Sequence, residues 1–194
     1  MWTFFKEALG RFVSHGAIMP STSFLAEQML RPVVMKKGVV IVELGAGTGA
    51  FTQDILRRLP SDGVLIVVEL NPKLAAHLKK RFVDSRMIII EGDATKLGSY
   101  LEKLDHVHVD YVVSGLPIGN FRSSIREKIF SEIYAHLSDT GRYIQFQYFL
   151  ASLRHIRKFF DARIIAYEVR NVPPAFVYEC KKHADEAFVH SQHH

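Results

Sequence analysis

The chain has 194 residues, 48% of them apolar and 23% charged, which fits one domain with a sizeable core and excludes a disordered chain. A single cysteine, Cys180, excludes an internal disulfide or a cysteine-based zinc site, and no apolar run reaches the ~18–20 residues a spanning helix needs. The formal net charge of +5 favours anionic partners, nucleic acid or acidic lipid headgroups, beside the plainer reading of a protein with surplus lysine.

Residues 1–37 read as a helical lead-in, with helical patterns over 2–13 and 22–30 broken at Gly16 and Pro20. Trp2, Phe5, Leu9, Phe12 and Val13 fall on one face by their spacing, with Lys6 and Arg11 off it, although Phe4 also lies off it. An aromatic stripe flanked by basic residues suits a helix lying in a membrane interface, and equally a lid packed over a site. Charges interrupt the apolar stretch and no cleavage-like site follows it, so a cytoplasmic location is the default expectation.

From residue 38 strands and helices alternate. Apolar runs over 39–44, 64–69, 86–91, 109–114 and 141–149 read as buried strands. Helical patterns over 50–59, 72–82, 96–104, 123–137 and 151–160 separate or follow them. The alternation predicts a doubly wound α/β sheet. Two further strand patterns, 163–169 and 175–180, are joined by a link too short for a crossover helix, so the sheet should close on an antiparallel hairpin. One domain over 38–182 and a tail over 183–194 complete the organisation.

The stretch Glu43-Leu44-Gly45-Ala46-Gly47-Thr48-Gly49 follows the first strand. Glycines there permit positive φ and let a ligand approach the backbone. Gly45, Gly47 and Ala50 also fit the dinucleotide pattern G-x-G-x-x-G/A, so the glycines alone do not choose a ligand. The acids do. Glu43 ends the first strand, Glu69 the second, and Asp93 follows the third in Glu91-Gly92-Asp93-Ala94. Three carboxylates on one sheet edge suit an amine, a ribose and an adenine amino group. S-adenosylmethionine (SAM) carries all three. NAD remains the alternative through Glu69, without a feature that marks a nicotinamide half. No metal-ligand constellation stands out.

Through ELGAGTG, VVEL, EGDA and the closing hairpin, the chain resembles the class I SAM-dependent methyltransferases. The resemblance implies that Glu43, Gly45 and Gly47 line the methionine side, Glu69 the ribose, and Asp93 with Ala94 the adenine, with Ala46 and Leu70 beside them at the cofactor. Ser114 is expected among the cofactor contacts. Ribosomal RNA adenine dimethylases are similar, but methylases of base amines carry Asn or Asp, Pro and then an aromatic residue after the fourth strand. This chain has Ser114-Gly115-Leu116-Pro117-Ile118, with Ile118 where a ring would stack and Phe121 three residues late.

Over nearly its whole length the chain resembles bacterial phospholipid N-methyltransferases. Gly16-Ala17-Ile18-Met19-Pro20-Ser21, Ser114-Gly115-Leu116-Pro117 and Arg170-Asn171-Val172-Pro173-Pro174-Ala175 carry that likeness. It implies methylation of the amine of phosphatidylethanolamine by an enzyme peripherally associated with an anionic membrane. RNA or a small amine is the runner-up acceptor, and a non-catalytic cofactor- or membrane-binding module the third reading. Leu116, Pro117, Tyr148 and Asn171 are expected to meet the headgroup. Arg122 and Arg126, one helical turn apart, are expected to grip a lipid phosphate.

Overall fold

A computed structural model describes residues 23–183. The predicted helix over 2–13, with Trp2, Phe5, Leu9 and Phe12, lies outside the described residues. The helices are α1 (Ser23–Leu30), α2 (Ala50–Arg58), α3 (Pro72–Arg81), α4 (Leu97–Lys103), α5 (Ser123–His136) and the short α6 (Leu153–Ile156). The strands are β1 (Val40–Leu44), β2 (Val64–Glu69), β3 (Met87–Glu91), β4 (Val109–Ser114), β5 (Leu137–Gln147), β6 (Asp161–Glu168) and β7 (Ala175–Lys181).

The strands form one seven-stranded sheet in the order β3-β2-β1-β4-β5-β7-β6. The first five are parallel, and β7 runs antiparallel to both of its neighbours, as the short link before it predicts. Strand order reverses between β1 and β4. In open α/β sheets the crevice beyond such a switch point is where ligands bind.

Alternate residues of the central strands enter opposite layers. Ile41, Leu65, Val67, Val113 and Ile144 face one core with Leu25 and Met29 of α1 and Phe51 and Ile55 of α2. Val42, Ile66, Val68, Val112 and Tyr143 face the other, with Leu97 and Leu101 of α4 and Ile129, Phe130 and Ile133 of α5. Each fully buried Leu, Ile or Phe contributes about 1.5–3 kcal/mol, so burial on both faces explains why the strands read as unbroken apolar runs. The described part of the predicted lead-in belongs to this core: Leu25 and Met29 are wholly buried.

Three boundaries differ from expectation. Helix α5 ends at His136 and β5 begins at once at Leu137, paired with Val109, before the register jumps to Tyr111 opposite Arg142. Residues 138–140, which the predicted boundaries leave as a connection, therefore lie inside a strand, at an irregularity in its pairing. Tyr148 lies just beyond β5, which ends at Gln147. The helix predicted over 151–160 is cut to Leu153–Ile156. Beyond it the chain turns so that Phe160 is buried, with its ring centroid 5.3 Å from Tyr143 and 6.0 Å from Phe130.

Candidate active site

Parallel register brings the strand ends level. Leu44 is opposite Val68 on one side and Ser114 on the other, Glu69 is opposite Glu91, and Ser114 is opposite Gln145. Each following turn starts with its N–H on a neighbouring strand: Gly45 N donates to Val68 O, Gly115 N to Leu44 O and Gly92 N to Glu69 O, at 2.9–3.0 Å. The three acids thus reach one edge because three parallel strands stop together.

Gly45, Gly47 and Gly49 all have positive φ, at 70°, 59° and 87°. Their surroundings differ. A Cβ on Gly45 would stand 2.7 Å from Leu116 Cδ2, so this glycine lets the glycine loop and the Leu116 loop touch. A Cβ on Gly47 would meet no atom within 4 Å, so its backbone faces open space. Arg81, exposed at the end of α3, pins the loop through the Thr48 carbonyl (2.8 Å) and Gln53 Oε1 (2.7 Å).

Glu69 is 4% exposed. Its Oε2 accepts from Gly47 N and its Oε1 from Asn71 N, both at 2.9 Å. Burial raises its pKa, opposed by the N–H groups of Asn71, Gly47 and Leu70. Glu43 is wholly buried; its Oε2 accepts from the Thr52 hydroxyl at 2.7 Å, while Oε1 has no partner among the described residues. Burial pushes this carboxyl up to about 8, with Thr52 opposing the rise and Glu69 adding to it. Asp93 Oδ1 accepts from Thr95 N at 2.9 Å, capping a single tight turn, Ala94–Lys96. Tyr100 braces this turn: its hydroxyl accepts from Asp93 N at 3.1 Å, and a Cβ on Gly92 would lie 2.5 Å from it. Ala46 is buried beside Phe51 in the core cluster, and Leu70 is half-buried where β2 ends.

The fit to SAM follows from this arrangement. A buried acceptor without a partner suits the ammonium of an amino-acid tail, a fixed carboxylate at a strand end suits ribose hydroxyls, and an open glycine backbone admits a bulky group. The Glu69 carboxylate on the glycine loop would repel a pyrophosphate.

The acceptor side is organised differently. The Leu116 carbonyl accepts from Gln145 Nε2 (3.1 Å) and Gln147 Nε2 (3.0 Å). Gln145 Oε1 in turn accepts from the Tyr143 hydroxyl at 2.7 Å. Gln147 Oε1 accepts from Gly119 N (3.4 Å) and the Ser152 hydroxyl (3.3 Å). These side chains are buried, so the loop at Leu116-Pro117 stands on a fixed polar floor. Sequence reasoning missed the floor. Its signal was present: Gln145 and Gln147 alternate with apolar residues in a strand that ought to be apolar on both faces.

Several expected contacts fall elsewhere. Ser114 is wholly buried; its Oγ accepts from Leu116 N at 3.2 Å and it also hydrogen-bonds Tyr143, so it shapes the loop from beneath instead of facing a cofactor. Arg126 is 7% exposed, its guanidinium donating to Phe121 O (3.1 Å) and Ser123 Oγ (3.3 Å). The expectation that it grips a lipid phosphate is corrected: its charge is committed to the first turn of α5. Arg122, just before that helix, is exposed. Ile118 and Phe121 are both buried in the core, so neither offers a face to a base. Tyr148 is half-buried and hydrogen-bonds Asn171, whose Nδ2 donates to Pro173 O at 2.7 Å. That contact ties the end of β5 to the β6–β7 turn.

Comparison with known proteins agrees with the acidic, glycine-lined end of the sheet. The description "Methyltransferase domain" matches residues 41–141. The chain is 34% identical over 179 residues to ornithine lipid N-methyltransferase of Singulisphaera acidiphila, covering 89% of this chain and 93% of that relative. It is 39% identical over 72 residues to ribosomal RNA small subunit methyltransferase A of Laribacter hongkongensis, covering 37% of this chain and 26% of that relative. Human methyltransferase-like protein 13, in complex with SAH, shares the fold at a TM-score of 0.58 and 14% identity, over 84% of this chain and 81% of that one. The chain belongs to the class I SAM-dependent methyltransferases, and the enzyme uses SAM as its cofactor.

Proposed function

We propose that this enzyme methylates the amine of a membrane-lipid headgroup. Phosphatidylethanolamine and its partly methylated derivatives are the acceptors the sequence resemblance suggests, and an ornithine lipid is the one a relative's name suggests. Both offer an amine on a flexible arm. The observation that carries the reading is the extent of similarity: it runs through the acceptor side for the lipid-methylating relative, over 89% of this chain, and over 37% for the ribosomal RNA one. Buried Ile118 and Phe121 add to it, because base recognition leans on a ring beside the loop worth roughly 1–3 kcal/mol.

SAM supplies a methyl group on a sulfonium centre, open to attack by a lone pair. The chain's task is to bind, orient and exclude water. Glu43 and Glu69 hold the cofactor end. Gln145 and Gln147 hold the Leu116 carbonyl still, so an amine donating to this loop meets a fixed frame; such positioning is a large share of what an enzyme supplies for transfer between two bound partners. Tyr148 is raised above the usual phenol range by burial, against its hydrogen bond to Asn171. It stays a neutral phenol near pH 8, so it serves as a ring or hydrogen-bond partner rather than as a phenolate base. Its ring lies 5.6 Å from Phe146, and an aromatic face suits a methylated cation by about 0.5–2 kcal/mol.

The test is transfer of labelled methyl from SAM to phosphatidylethanolamine, ornithine lipid and total RNA, with the lipids dispersed in detergent. Label in either lipid and none in RNA is the expected result. Label in RNA alone would overturn the reading.

A further inference from the structure

The edge that presents the acceptor loop also carries the largest gathering of exposed apolar side chains among the described residues. Of the ten large apolar side chains left exposed, six sit here: Phe24, Phe149, Leu150, Tyr167, Val169 and Val172. Phe149 is 76% exposed and Val169 62%. They come from three places far apart in sequence. Phe149 and Leu150 follow β5, Tyr167 lies near the end of β6 with Val169 and Val172 in the turn after it, and Phe24 lies in the first turn of α1. Register brings these together, since Gln147 and Tyr167 both pair with Phe176. The Tyr148–Asn171 hydrogen bond joins the first two loops, and the Arg170 guanidinium lies 3.9 Å over the Phe24 ring, joining the third.

Charge completes the surface. Arg154 and Lys158 are exposed on the segment that follows Leu150, Arg122 is exposed where α5 begins, and residues 148–158 contain no Asp or Glu. Arg170 is paired with Glu168 at 2.7 Å and adds little net charge. Phe149, Leu150, Val169 and Val172 are at least half exposed on loops, so they fit a partner that yields around them. An apolar medium beneath a negatively charged surface is such a partner.

We propose that these loop tips dock the enzyme on a bilayer containing anionic lipid, with Phe149, Leu150, Val169 and Val172 entering the interface and Arg122, Arg154 and Lys158 facing the headgroups. This deepens the lipid-amine reading and rests on it for its purpose. Gln147 links the tips to the reaction: it bonds Ser152 beside Leu150 and supports the Leu116 carbonyl. Docking therefore sets the acceptor loop against the headgroup layer without any lipid having to leave the bilayer entirely.

The experiment is co-sedimentation of the full chain with phosphatidylcholine vesicles, plain or doped with phosphatidylglycerol. Phe149→Asp with Leu150→Asp, and Val169→Asp with Val172→Asp, should each lower partitioning onto doped vesicles roughly tenfold. SAM affinity and methyl transfer to detergent-dispersed phosphatidylethanolamine should stay at the wild-type level. Arg154→Gln with Lys158→Gln should erase most of the preference for doped over plain vesicles. If the aspartates cost SAM affinity, Phe149→Ser with Val172→Ser makes the same comparison with less strain. Wild-type partitioning in the loop variants, with Phe5→Asp alone abolishing it, would overturn the proposal and assign docking to the residues before Ser23. Vesicle binding that the loop variants lose, in a wild-type enzyme that methylates no lipid amine, would sink the substrate reading and leave the docking surface standing.

Discussion

The two ends of the strand edge use polar groups in opposite ways. Three acids stand where β1, β2 and β3 end, and one of them, Glu43, is buried with an oxygen that nothing among the described residues satisfies. At β4 and β5 the polar groups satisfy each other: Ser114 with Tyr143, Tyr143 with Gln145, and both glutamines with the Leu116 carbonyl. Burying an unpaired acceptor costs about 1–3 kcal/mol, which a protein retains where a ligand repairs it. A fully satisfied network suits the opposite need, a rigid support. The first end leaves a buried acceptor open for a ligand to complete, and the second is a rigid support.

Breaking the first end should have the largest effect. Glu69→Ala removes a carboxylate that accepts from Gly47 N and Asn71 N, so the glycine loop loses one of its ties and two half-buried donors lose their acceptor. SAM affinity by calorimetry should fall roughly a hundredfold or more. Amide exchange in the β5–β7 ladder should stay slow, because the damage is confined to the other end. Unchanged affinity would mean that the cofactor end is not organised by this carboxylate.

Gln147→Leu tests the second end. It removes one of the two donors to Leu116 O, and the acceptor of Gly119 N and the Ser152 hydroxyl, while keeping an apolar stem in place. Turnover on dispersed lipid should drop roughly tenfold, as expected of a loosened frame, while SAM affinity stays within about twofold. A fall in SAM affinity as large as the fall in turnover would show that the two ends are not separable. Gln145→Leu, by comparison, also leaves the Tyr143 hydroxyl without its acceptor and should lower stability by about 1–3 kcal/mol.

The difference between the ends also explains what could be read from sequence. Glu43, Glu69 and Asp93 were legible because parallel buried strands are apolar without alternation, so an acid at the end of such a run stands out. Gly45 and Gly47 were legible as a turn, but only the structure separates the one that touches Leu116 from the one that faces open space. The acceptor end was hidden for two reasons. Its polar groups act across strands, through pairings such as Ser114 with Gln145 that no local pattern encodes. And Asp139-Thr140-Gly141 imitates a turn while lying within β5, which obscured where that strand starts.

Titration sharpens the contrast. The folded pKa of Glu43, about 8, lies above its ordinary value of 4.5. The unfolded chain therefore gives up this proton first, and stability of the cofactor-free enzyme should decline as pH rises from about 5 through 8. A tenfold difference in proton affinity between the folded and unfolded chain amounts to about 1.4 kcal/mol. Glu43→Gln should flatten that decline in thermal melts, and at pH above 8 the variant should melt higher than the wild type without cofactor. Adding SAM should reverse the order, since an ammonium beside Oε1 favours the carboxylate. Identical pH profiles for the two proteins would mean that Glu43 is solvated in solution.

The smallest effect separates two arginines that sequence places together. Arg126 is buried with its charge on Phe121 O and Ser123 Oγ, so Arg126→Met keeps the stem and loses hydrogen bonds to a charged group. A stability loss of about 1–2 kcal/mol follows, read as a lower melting temperature, with the KM for dispersed lipid unmoved. Arg122 is exposed at the start of the same helix. A surface charge of this kind contributes about 0–1 kcal/mol and is screened by salt, so Arg122→Met should leave the melting temperature alone and weaken vesicle binding slightly at low ionic strength. The opposite pattern, KM rising for Arg126→Met with stability intact, would restore Arg126 as a phosphate grip and require the first turn of α5 to open when lipid arrives.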